Sequence, residues 1–510
     1  MIYAWCLASW GAAASYLHSV PPQQRLVSSS RRSVVRCTAS LQAPPTDSVE
    51  AIVPEPSAWV VSTLAAAAPS GSPAVTTLRE GAVEAAQAAQ LPRRKDEAWR
   101  RTDMESLFAT SMVAPTGEAP SAALLEACMD EESEGARLVF VNGAYSAELS
   151  DTSALPEGVL AGGLGALPEG LQGEAVTQLQ ALPEVGMDKR IALGCYPFAA
   201  INLASLADVA CVHVPSDVAV ERPLYVFMLS TGPDGGIGSG SEAAASHPNL
   251  LVTLERGAQL ELVQHYSGSG AYFANALSRM CLGEGSKLTH AYVQEQGADG
   301  VHLDSVLVAA QESSRYELHA VQMGGKLARV NLDVRLQGPF ASASLQGLSL
   351  ATGRELSDLH SKVTHESRDC ASEQEQRNAL SDAARVIFRG QIKVPRGADN
   401  STANQLCRSL LLSDRARVDV SPQLEILTDE VECTHGATVA DLDDEMVFYL
   451  QSRGLDRIGA RTLLLEGWAR EVMDKVPLAG SKRRAVGKAA ALSPETQAQR
   501  AARVQTLQSI

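Results

Sequence analysis

The chain lacks the signature sequences of several common enzyme classes. Its 510 residues contain no Walker A sequence, so we expect that the chain itself binds no nucleotide. The Gly-x-Ser-x-Gly of hydrolase nucleophile elbows and the zinc-binding His-Glu-x-x-His are absent too, which argues against two large groups of hydrolases. Aromatic residues make up only 5% of the chain, a low proportion for an enzyme that stacks sugars on aromatic rings.

Positive charge is also scarce. The 43 Lys and Arg residues are outnumbered by 59 Asp and Glu residues, and the formal net charge of -16 argues against nucleic acid or an anionic membrane as a partner. The nine cysteines are scattered and form no Cys-x-x-Cys pair, which indicates a reducing compartment rather than a disulfide framework. Beyond the leader, no uncharged apolar run is long enough to cross a bilayer, so we expect no membrane contact.

Acidic residues are missing from positions 1–46, which carry four arginines among many Ser and Ala residues. This composition is typical of an organellar transit peptide, and residues 1–45 are therefore excluded from the fold. Residues 34–39 resemble the cleavage region of plastid transit peptides, which favours the chloroplast stroma as the location. The apolar start of the leader leaves open a preceding signal-like element.

Residues 46–200 are predicted to form a mostly helical region. Its Ala-rich stretches favour helix by intrinsic propensity, as in residues 78–90. Asn142 followed by Gly143 is a strong signal for a tight hairpin between two strands.

A repeated pattern occupies the middle of the chain, residues 201–440. Each copy is a turn-like segment followed by alternating apolar positions, which is typical of a half-buried strand. The copies are centred on Leu260, Leu288, Tyr316, Leu345, Val386 and Val418. The first three are 28 residues apart, a period typical of stacked solenoid coils. An antiparallel sandwich with evenly spaced hairpins is the alternative, because alternation does not give strand direction.

The periodicity becomes helical after residue 441. Residues 443–453 begin with acids and end with Arg453, and Gly454 follows, an arrangement that suits a helix dipole and its C-terminal cap. A second helix is predicted over residues 456–475. We expect this helical region, residues 441–480, to cap the last coil or to dock a partner, and residues 481–510 to form a flexible tail.

Cys433 and His435 lie two positions apart in a stretch predicted to be extended, so their side chains share one face. A thiolate and an imidazole suit iron or zinc, although two ligands leave most coordination positions open. The alternative is a buried thiol beside a hydrogen-bonded histidine. His360, His365 and Cys370 do not have the spacing of a standard zinc site, and we expect a solvated loop or the side of a coil there.

Three blocks of sequence resemble SufD, a subunit of the SufBCD iron–sulfur cluster assembly scaffold. Residues 433–454 are similar to its C-terminal signature, residues 94–103 to its N-terminal signature, and residues 404–413 to its penultimate strands. The blocks also follow the family's order. The resemblance implies a mainly β fold, with a right-handed parallel β-helix core between N-terminal and C-terminal helical regions.

The same resemblance implies a non-catalytic scaffold subunit for iron–sulfur cluster assembly. Such a subunit pairs with a SufB-like subunit through the β-helix and holds a SufC-like ATPase at its C-terminal helices. The iron–sulfur cluster would be transient and shared with the SufB-like partner. The residues that we assign to the ATPase contact are Phe448, Tyr449, Arg453 and Trp468.

His435 occupies the position of the family histidine implicated in cluster assembly, as a metal ligand or as a proton acceptor. Cys433 occupies the adjacent family cysteine. Cys407 falls where SufB has its candidate cluster cysteine, but SufD members often carry another residue there, so it ranks behind the other two.

Three alternatives to a SufD-like subunit stay open at the level of sequence. The sister subunit SufB shares the fold, but the Cys-Thr-His-Gly-Ala form of residues 433–437 favours SufD. A carbohydrate-active β-helix enzyme would use carboxylates along a groove. The third is a pure assembly platform, in which Cys433 and His435 only pack.

Overall fold

The structure is a computed structural model that describes six segments of the chain. They are residues 57–67, 72–115, 122–129, 133–184, 192–474 and 479–492. The predicted leader, residues 1–45, and the end of the predicted tail, residues 493–510, lie outside the described residues. No helix within the described segments has the length and apolarity needed to cross a membrane.

The N-terminal part combines helices with short strands. Its helices are α1 (Ala58–Ala65), α2 (Pro73–Ala88), α3 (Glu105–Phe108), α4 (Ala122–Cys128), α5 (Glu169–Gln180) and α6 (Tyr196–Ser205), with 3₁₀ turns at Glu97–Trp99 and Leu164–Ala166. Its strands are β1 (Ser111–Val113), β2 (Arg137–Val141), β3 (Ala144–Tyr145) and β4 (Leu160–Gly163). The predicted hairpin is confirmed, since β2 and β3 pair antiparallel around Asn142 and Gly143, whose φ angles are 52° and 85°.

Two large sheets follow, and from β8 onwards successive strands alternate between them. In the described part of the chain the first sheet has eleven strands, which are β1, β4, β5 (Ala210–Val214), β7 (Glu242–Ser246), β8 (Asn249–Leu254), β10 (Tyr272–Leu282), β12 (Val301–Ala310), β14 (Leu327–Leu336), β16 (Leu356–His365), β18 (Arg385–Val394) and β20 (Arg417–Ile426). The second has ten, which are β2, β3, β6 (Leu224–Thr231), β9 (Gln259–Ser269), β11 (Lys287–Gln296), β13 (Arg315–Gly324), β15 (Ser342–Ala351), β17 (Ala371–Leu380), β19 (Ser401–Leu411) and β21 (Val431–Ala440).

Each later coil adds one strand to each sheet, and all pairings among strands β5 to β21 are parallel, whereas β4 pairs antiparallel with β5. The predicted parallel β-helix is therefore confirmed, and the antiparallel sandwich is wrong. Leu260, Leu288 and Tyr316 lie in register on adjacent strands of the second sheet, as their spacing predicts.

The later copies of the repeat depart from this register. Leu345 pairs with Leu318 rather than with Tyr316. Val386 and Val418 pair with each other in the first sheet. Strands of both sheets begin after similar turns, so the sequence pattern does not distinguish one sheet from the other.

The core lies between the two sheets, where aliphatic and aromatic side chains from both are buried together. A second cluster covers the outer face of the first sheet, where Trp59 and Phe198 from the N-terminal helices pack against Phe273 of β10. Their ring centroids lie 5.6 Å and 6.4 Å from that of Phe273. Burial of this apolar surface fixes the N-terminal part to the solenoid.

The polar stretch from 357 to 376, for which we expected a solvated loop or the side of a coil, forms parts of β16 and β17. His360 and His365 are 4% and 0% exposed, and Cys370 is 1% exposed, so the solvated-loop alternative is wrong. The His360 ring pairs with Asp358 at 3.0 Å, and it also lies 3.2 Å from Arg329 of β14. The stretch has the composition of a loop because its buried polar side chains form hydrogen bonds and ion pairs with one another.

The helices predicted after residue 441 are confirmed as α7 (Asp444–Ser452) and α8 (Arg457–Met473). A third, α9 (Ala479–Ala491), is helical over the start of the segment predicted to be a flexible tail, with Ala485 and Ala489 buried. Asp443 and Asp456 cap α7 and α8 by accepting backbone N–H bonds of 2.8 Å and 2.7 Å.

The expectation that these helices cap the last coil is wrong. Both α8 and α9 lie against β15 of the second sheet. Arg377 of β17 pairs with Glu471 of α8 at 2.6 Å, and Arg484 of α9 pairs with Glu295 of β11 at 3.0 Å. Helices α8 and α9 therefore cover part of the outer face of the second sheet, and charged side chains on that face hold them there.

Candidate functional site

Within the described segments, no other element covers the last coil of the solenoid. β20 and β21 are edge strands, and each has one neighbouring strand among the described residues. No residue of either strand is fully buried. Three large apolar side chains at this end are exposed, at 38% for Ile426 and 51% each for Leu427 and Val439.

At the opposite end of the second sheet, the side chains are buried. Leu138, Val139 and Phe140 of β2 are all 0% exposed, although this strand lies only one strand from the sheet's edge. The N-terminal part therefore shields one end of the solenoid, whereas the last coil leaves its backbone edges and apolar side chains open.

His435 lies in β21, in register with Gln405 of β19. Cys433 is in register with Ala403, and both Gln405 and Ala403 are buried, at 3% and 0% exposure. Alternate residues of a strand share a face, so His435 and Cys433 continue the inward-facing rows of the solenoid. Because no coil follows β21 in the part of the chain that the structure describes, the side chain of His435 is exposed.

Cys433 is half-buried beside a small apolar cluster of Ile392, Val394, Ala398 and Ala403. Burial raises the pKa of the Cys433 thiol, and a backbone hydrogen bond from Ala403 opposes this shift only in part. The structure thus brings Cys433 and His435 to the same face of the open coil, with the sulfur protonated at neutral pH.

Cys407 lies one strand deeper and is fully buried. It is in register with Ala437, not with His435, and its Sγ accepts a 3.4 Å hydrogen bond from Nδ2 of Asn378. Burial raises the pKa of its thiol to about 11. The structure therefore separates Cys407 from the solvent-exposed face that carries His435.

A row of buried amides, which the sequence pattern did not predict, lies behind His435. Nε2 of Gln405 donates to Oε1 of Gln374 at 2.8 Å, and Nε2 of Gln374 donates to Oγ of Ser361 at 2.8 Å. Gly390 leaves room for this row, because a Cβ there would lie 2.1 Å from Nε2 of Gln405. Polar residues at inward-facing positions of successive predicted strands are the signal that could have revealed it.

The predicted ATPase-contact residues separate into two groups. Phe448 of α7 is 72% exposed, and the guanidinium of Arg453 lies 5.2 Å from the ring centroid of Tyr449. Phe448 and Arg453 are exposed and Tyr449 is partly exposed, and we call these three residues the α7 surface.

Trp468 requires a correction, since it is 4% exposed and faces the solenoid. Its carbonyl accepts a 3.0 Å hydrogen bond from Nη1 of Arg377, whose guanidinium lies 5.6 Å from the indole. Trp468 holds α8 to the second sheet and is not part of the α7 surface.

Within the described segments, no three His, Cys, Asp or Glu side chains converge in a way that could hold a metal ion. His435 and Cys433 are therefore two donors of different chemistry on an open face, without a third beside them in the residues described.

Two family models match this chain in sequence order. The SufBD protein N-terminal region matches residues 65–226, and the SufBD core domain of SUF system FeS cluster assembly matches residues 237–468. The chain is also 32% identical to an iron–sulfur cluster assembly SufBD family protein of Synechocystis, over 79% of this chain and 87% of that protein. The chain belongs to the SufBD family.

Two other SufBD-family comparisons concern proteins with more specific names. The chain is 30% identical to the chloroplastic protein ABCI7 of Arabidopsis thaliana, over 81% of this chain and 84% of that protein. It is 26% identical to the iron–sulfur cluster assembly protein SufD of Escherichia coli, over 78% of this chain and 88% of that protein. These matches confirm the SufD resemblance, and the SufB alternative is not better supported.

Proposed function

We propose that this SufBD-family chain is a SufD-like scaffold subunit that supports iron–sulfur cluster assembly with a SufB-like subunit and SufC-like ATPases. One observation carries the proposal. The last coil is uncovered, and it presents His435, within the family signature, on an edge strand.

The uncovered coil suits pairing with a second β-helix. Edge strands present unpaired backbone N–H and C=O groups, which another strand can satisfy. Leu427 and Val439 add apolar surface that would leave water in such a contact. We therefore assign this end of the solenoid to the SufB-like subunit.

Pairing would enclose His435 between the two subunits. A neutral imidazole can bind iron, and it can also take a proton from an incoming thiol species. Cys433, on the same face, supplies a sulfur at the rim of the contact. The cluster is cargo in this proposal, built transiently and shared with the SufB-like partner.

The α7 surface suits the ATPase contact. Residues 441–443 alone join α7 to β21, and Asp441 in this link pairs with Arg461 of α8 at 3.3 Å. A force applied to α7 by a closing ATPase would therefore reach the strand that carries His435. Nucleotide would be bound by the partner and not by this chain.

We place the protein in the plastid stroma. The composition of residues 1–46 and the similarity to the chloroplastic protein of Arabidopsis thaliana support this location. Import of the full chain into isolated chloroplasts, with loss of about 45 residues, is the expected result.

The proposed function is tested by reconstituting the chain with a SufB-like subunit and a SufC-like ATPase. His435→Ala should leave the complex intact in size-exclusion chromatography but lower the yield of iron–sulfur cluster, read by visible absorbance, by about tenfold or more. The matched control is Thr434→Ala, which alters the opposite face of the same strand, where Thr434 bonds Asn404. An unchanged cluster yield with His435→Ala would refute the assignment and favour a pure assembly platform.

A further inference from the structure

An inward-facing row of residues runs along the second sheet and ends on His435. Its members are in register from strand to strand, and they are His290, Leu318, Leu345, Gln374, Gln405 and His435. Leu318 and Leu345 belong to the core between the sheets, whereas the next two positions are glutamines that are only 5% and 3% exposed. The row therefore changes from aliphatic to amide side chains in the two coils before His435.

A hydrogen bond within this row orients the amide of Gln405. Its Nε2 donates to Oε1 of Gln374 at 2.8 Å, so the NH₂ end of the amide points back along the solenoid. The nitrogen and the oxygen of an amide diverge from one carbon, and Oε1 of Gln405 therefore points away from Gln374. This oxygen is buried and has no hydrogen-bond partner among the described residues. Such an acceptor is unfavourable, because it has lost water without gaining a donor.

The last coil offers one side-chain donor to this oxygen. Gly390 of the first sheet lies opposite Gln405, since a Cβ at Gly390 would collide with the amide of Gln405. In the next and last coil, Pro422 is in register with Gly390, and His435 is in register with Gln405. Proline has no N–H to donate. Of the two residues that continue this level of the solenoid, only His435 can therefore donate to Oε1 of Gln405.

We propose that Gln405 is a positioning residue for His435, and that its Oε1 accepts the N–H of the imidazole once a partner covers the last coil. The inference rests on the proposed function, which places His435 in the contact with a SufB-like subunit. The ring of His435 is exposed in the isolated chain, where water can accept its N–H. Covering the coil removes that water, so the ring then needs an acceptor while Oε1 needs a donor.

The hydrogen bond determines which nitrogen of the ring meets the cargo. A neutral imidazole has an N–H on one ring nitrogen and a lone pair on the other. When Gln405 holds the N–H, the lone pair lies on the nitrogen that faces away from the amide, where it can bind iron or take a proton. Gln405 acts through His435 and does not touch the cargo.

The test uses the complex reconstituted with a SufB-like subunit and a SufC-like ATPase, with isotope-labelled histidine in this chain alone. Solid-state NMR of the ring nitrogens at pH 8, where an ordinary imidazole is neutral, identifies the tautomer of each histidine. The signal that His435→Ala removes belongs to His435. We expect a single tautomer at His435 in the wild type. Gln405→Leu should give a mixture of both tautomers and lower the yield of cluster by about tenfold.

Two further variants distinguish positioning from packing. Gln376→Leu makes the same substitution at another buried glutamine of the second sheet, whose row continues to Cys407 and ends on Ala437. It should change neither the tautomer of His435 nor the yield. Gln405→Glu keeps an acceptor oxygen behind His435, so it should retain the single tautomer and most of the yield that Gln405→Leu loses.

The outcomes for this inference differ from those for the proposed function. A mixture of tautomers at His435 in the wild-type complex would overturn the inference, and this spectrum decides alone if Gln405→Leu does not fold. A tautomer or a yield that Gln405→Leu leaves unchanged would also overturn it, as would an equal loss of yield with Gln376→Leu. An unchanged yield with His435→Ala would instead refute the proposed function.

Discussion

The guanidinium of Arg329 lies 3.7 Å from the ring centroid of Trp99. Trp99 belongs to the N-terminal signature at residues 94–103, and Arg329 belongs to β14 of the solenoid. The same guanidinium donates to the carbonyls of Ala98 and Leu193 at 2.7 Å and 2.8 Å, and it pairs with Asp358 at 3.1 Å. The signature therefore supplies buried contacts that fix the N-terminal part to the core. We call the contacts of Arg329 with Trp99, Ala98 and Asp358 the clamp.

The clamp predicts a large loss of stability for Arg329→Met. This change removes the guanidinium from buried Asp358, which keeps only His360 and Thr102 as partners, and breaking a buried pair from one side costs about 3–5 kcal/mol. The free energy of unfolding in urea measures the loss. The control is Arg94→Met in the same signature, where the ion pair with Asp103 is more than half exposed and removal should cost less than about 1 kcal/mol. Equal losses for the two variants would contradict the clamp.

Local elements were predictable because their signals are local. The spacing of Leu260, Leu288 and Tyr316 gives the stacking, and the acidic caps before α7 and α8 mark where those helices begin. His435 and Cys433 share a face because strand geometry requires it.

The docking of elements against the solenoid was not predictable in the same way. Arg377 and Glu295 look like solvated charges in the sequence, yet they hold α8 and α9. Trp468 was predicted to contact a partner, and only the docking of α8 on the second sheet shows that its side chain is buried. The partners of these side chains lie far away in the sequence, and local periodicity does not predict contacts between distant residues.

Buried histidines predict a loss of stability in mild acid. Burial lowers the pKa of His247, His290 and His302 to about 3 and that of His365 to about 4. The unfolded chain binds these protons below about pH 6.5, whereas the folded chain does not. The stabilisation is therefore complete above pH 6.5 and is lost as the pH falls towards 4.

Asp304 acts in the opposite direction over this range. Burial raises its pKa to about 7, so the folded chain holds a proton there that the unfolded chain releases above its lower pKa. Each unfolded-state histidine is half protonated at pH 6.5, so four histidines against one carboxyl leave about one proton at pH 6.5 and between two and three at pH 5.5, or roughly 2 to 4 kcal/mol of unfolding free energy for each pH unit. Urea unfolding at pH 6.5, 6.0 and 5.5 measures the slope. His290→Gln should reduce the change of unfolding free energy with pH by the contribution of one histidine. A wild-type unfolding free energy that does not change with pH would be incompatible with neutral buried histidines.

Val439→Glu should weaken partner binding while leaving the stability of the isolated chain nearly unchanged. Val439 is 51% exposed on the uncovered coil, so the isolated chain should change by less than about 0.5 kcal/mol. In the complex, the carboxylate would be buried without a cation, which should weaken binding of a SufB-like subunit by about tenfold or more. Val61→Glu is the matched control, at 50% exposure on α1. Equal binding by both variants would place the contact elsewhere.

Phe448→Ala tests the α7 surface. A side chain that is 72% exposed contributes little to the isolated chain, so thermal unfolding should be unchanged, while affinity for a SufC-like ATPase should fall by about tenfold or more. Phe340→Ala, at 56% exposure in the turn between β14 and β15, should leave that affinity unchanged.

Trp468→Ala is the variant in this comparison that should change stability, because it removes a side chain buried between α8 and the second sheet. It should lower the free energy of unfolding by about 3–5 kcal/mol. For Phe448→Ala, Phe340→Ala and Trp468→Ala, titration calorimetry measures the affinity for the ATPase, and urea unfolding measures stability. If Phe448→Ala binds the ATPase as tightly as the wild type does, the contact does not use α7, and a force on that helix has no part in moving β21.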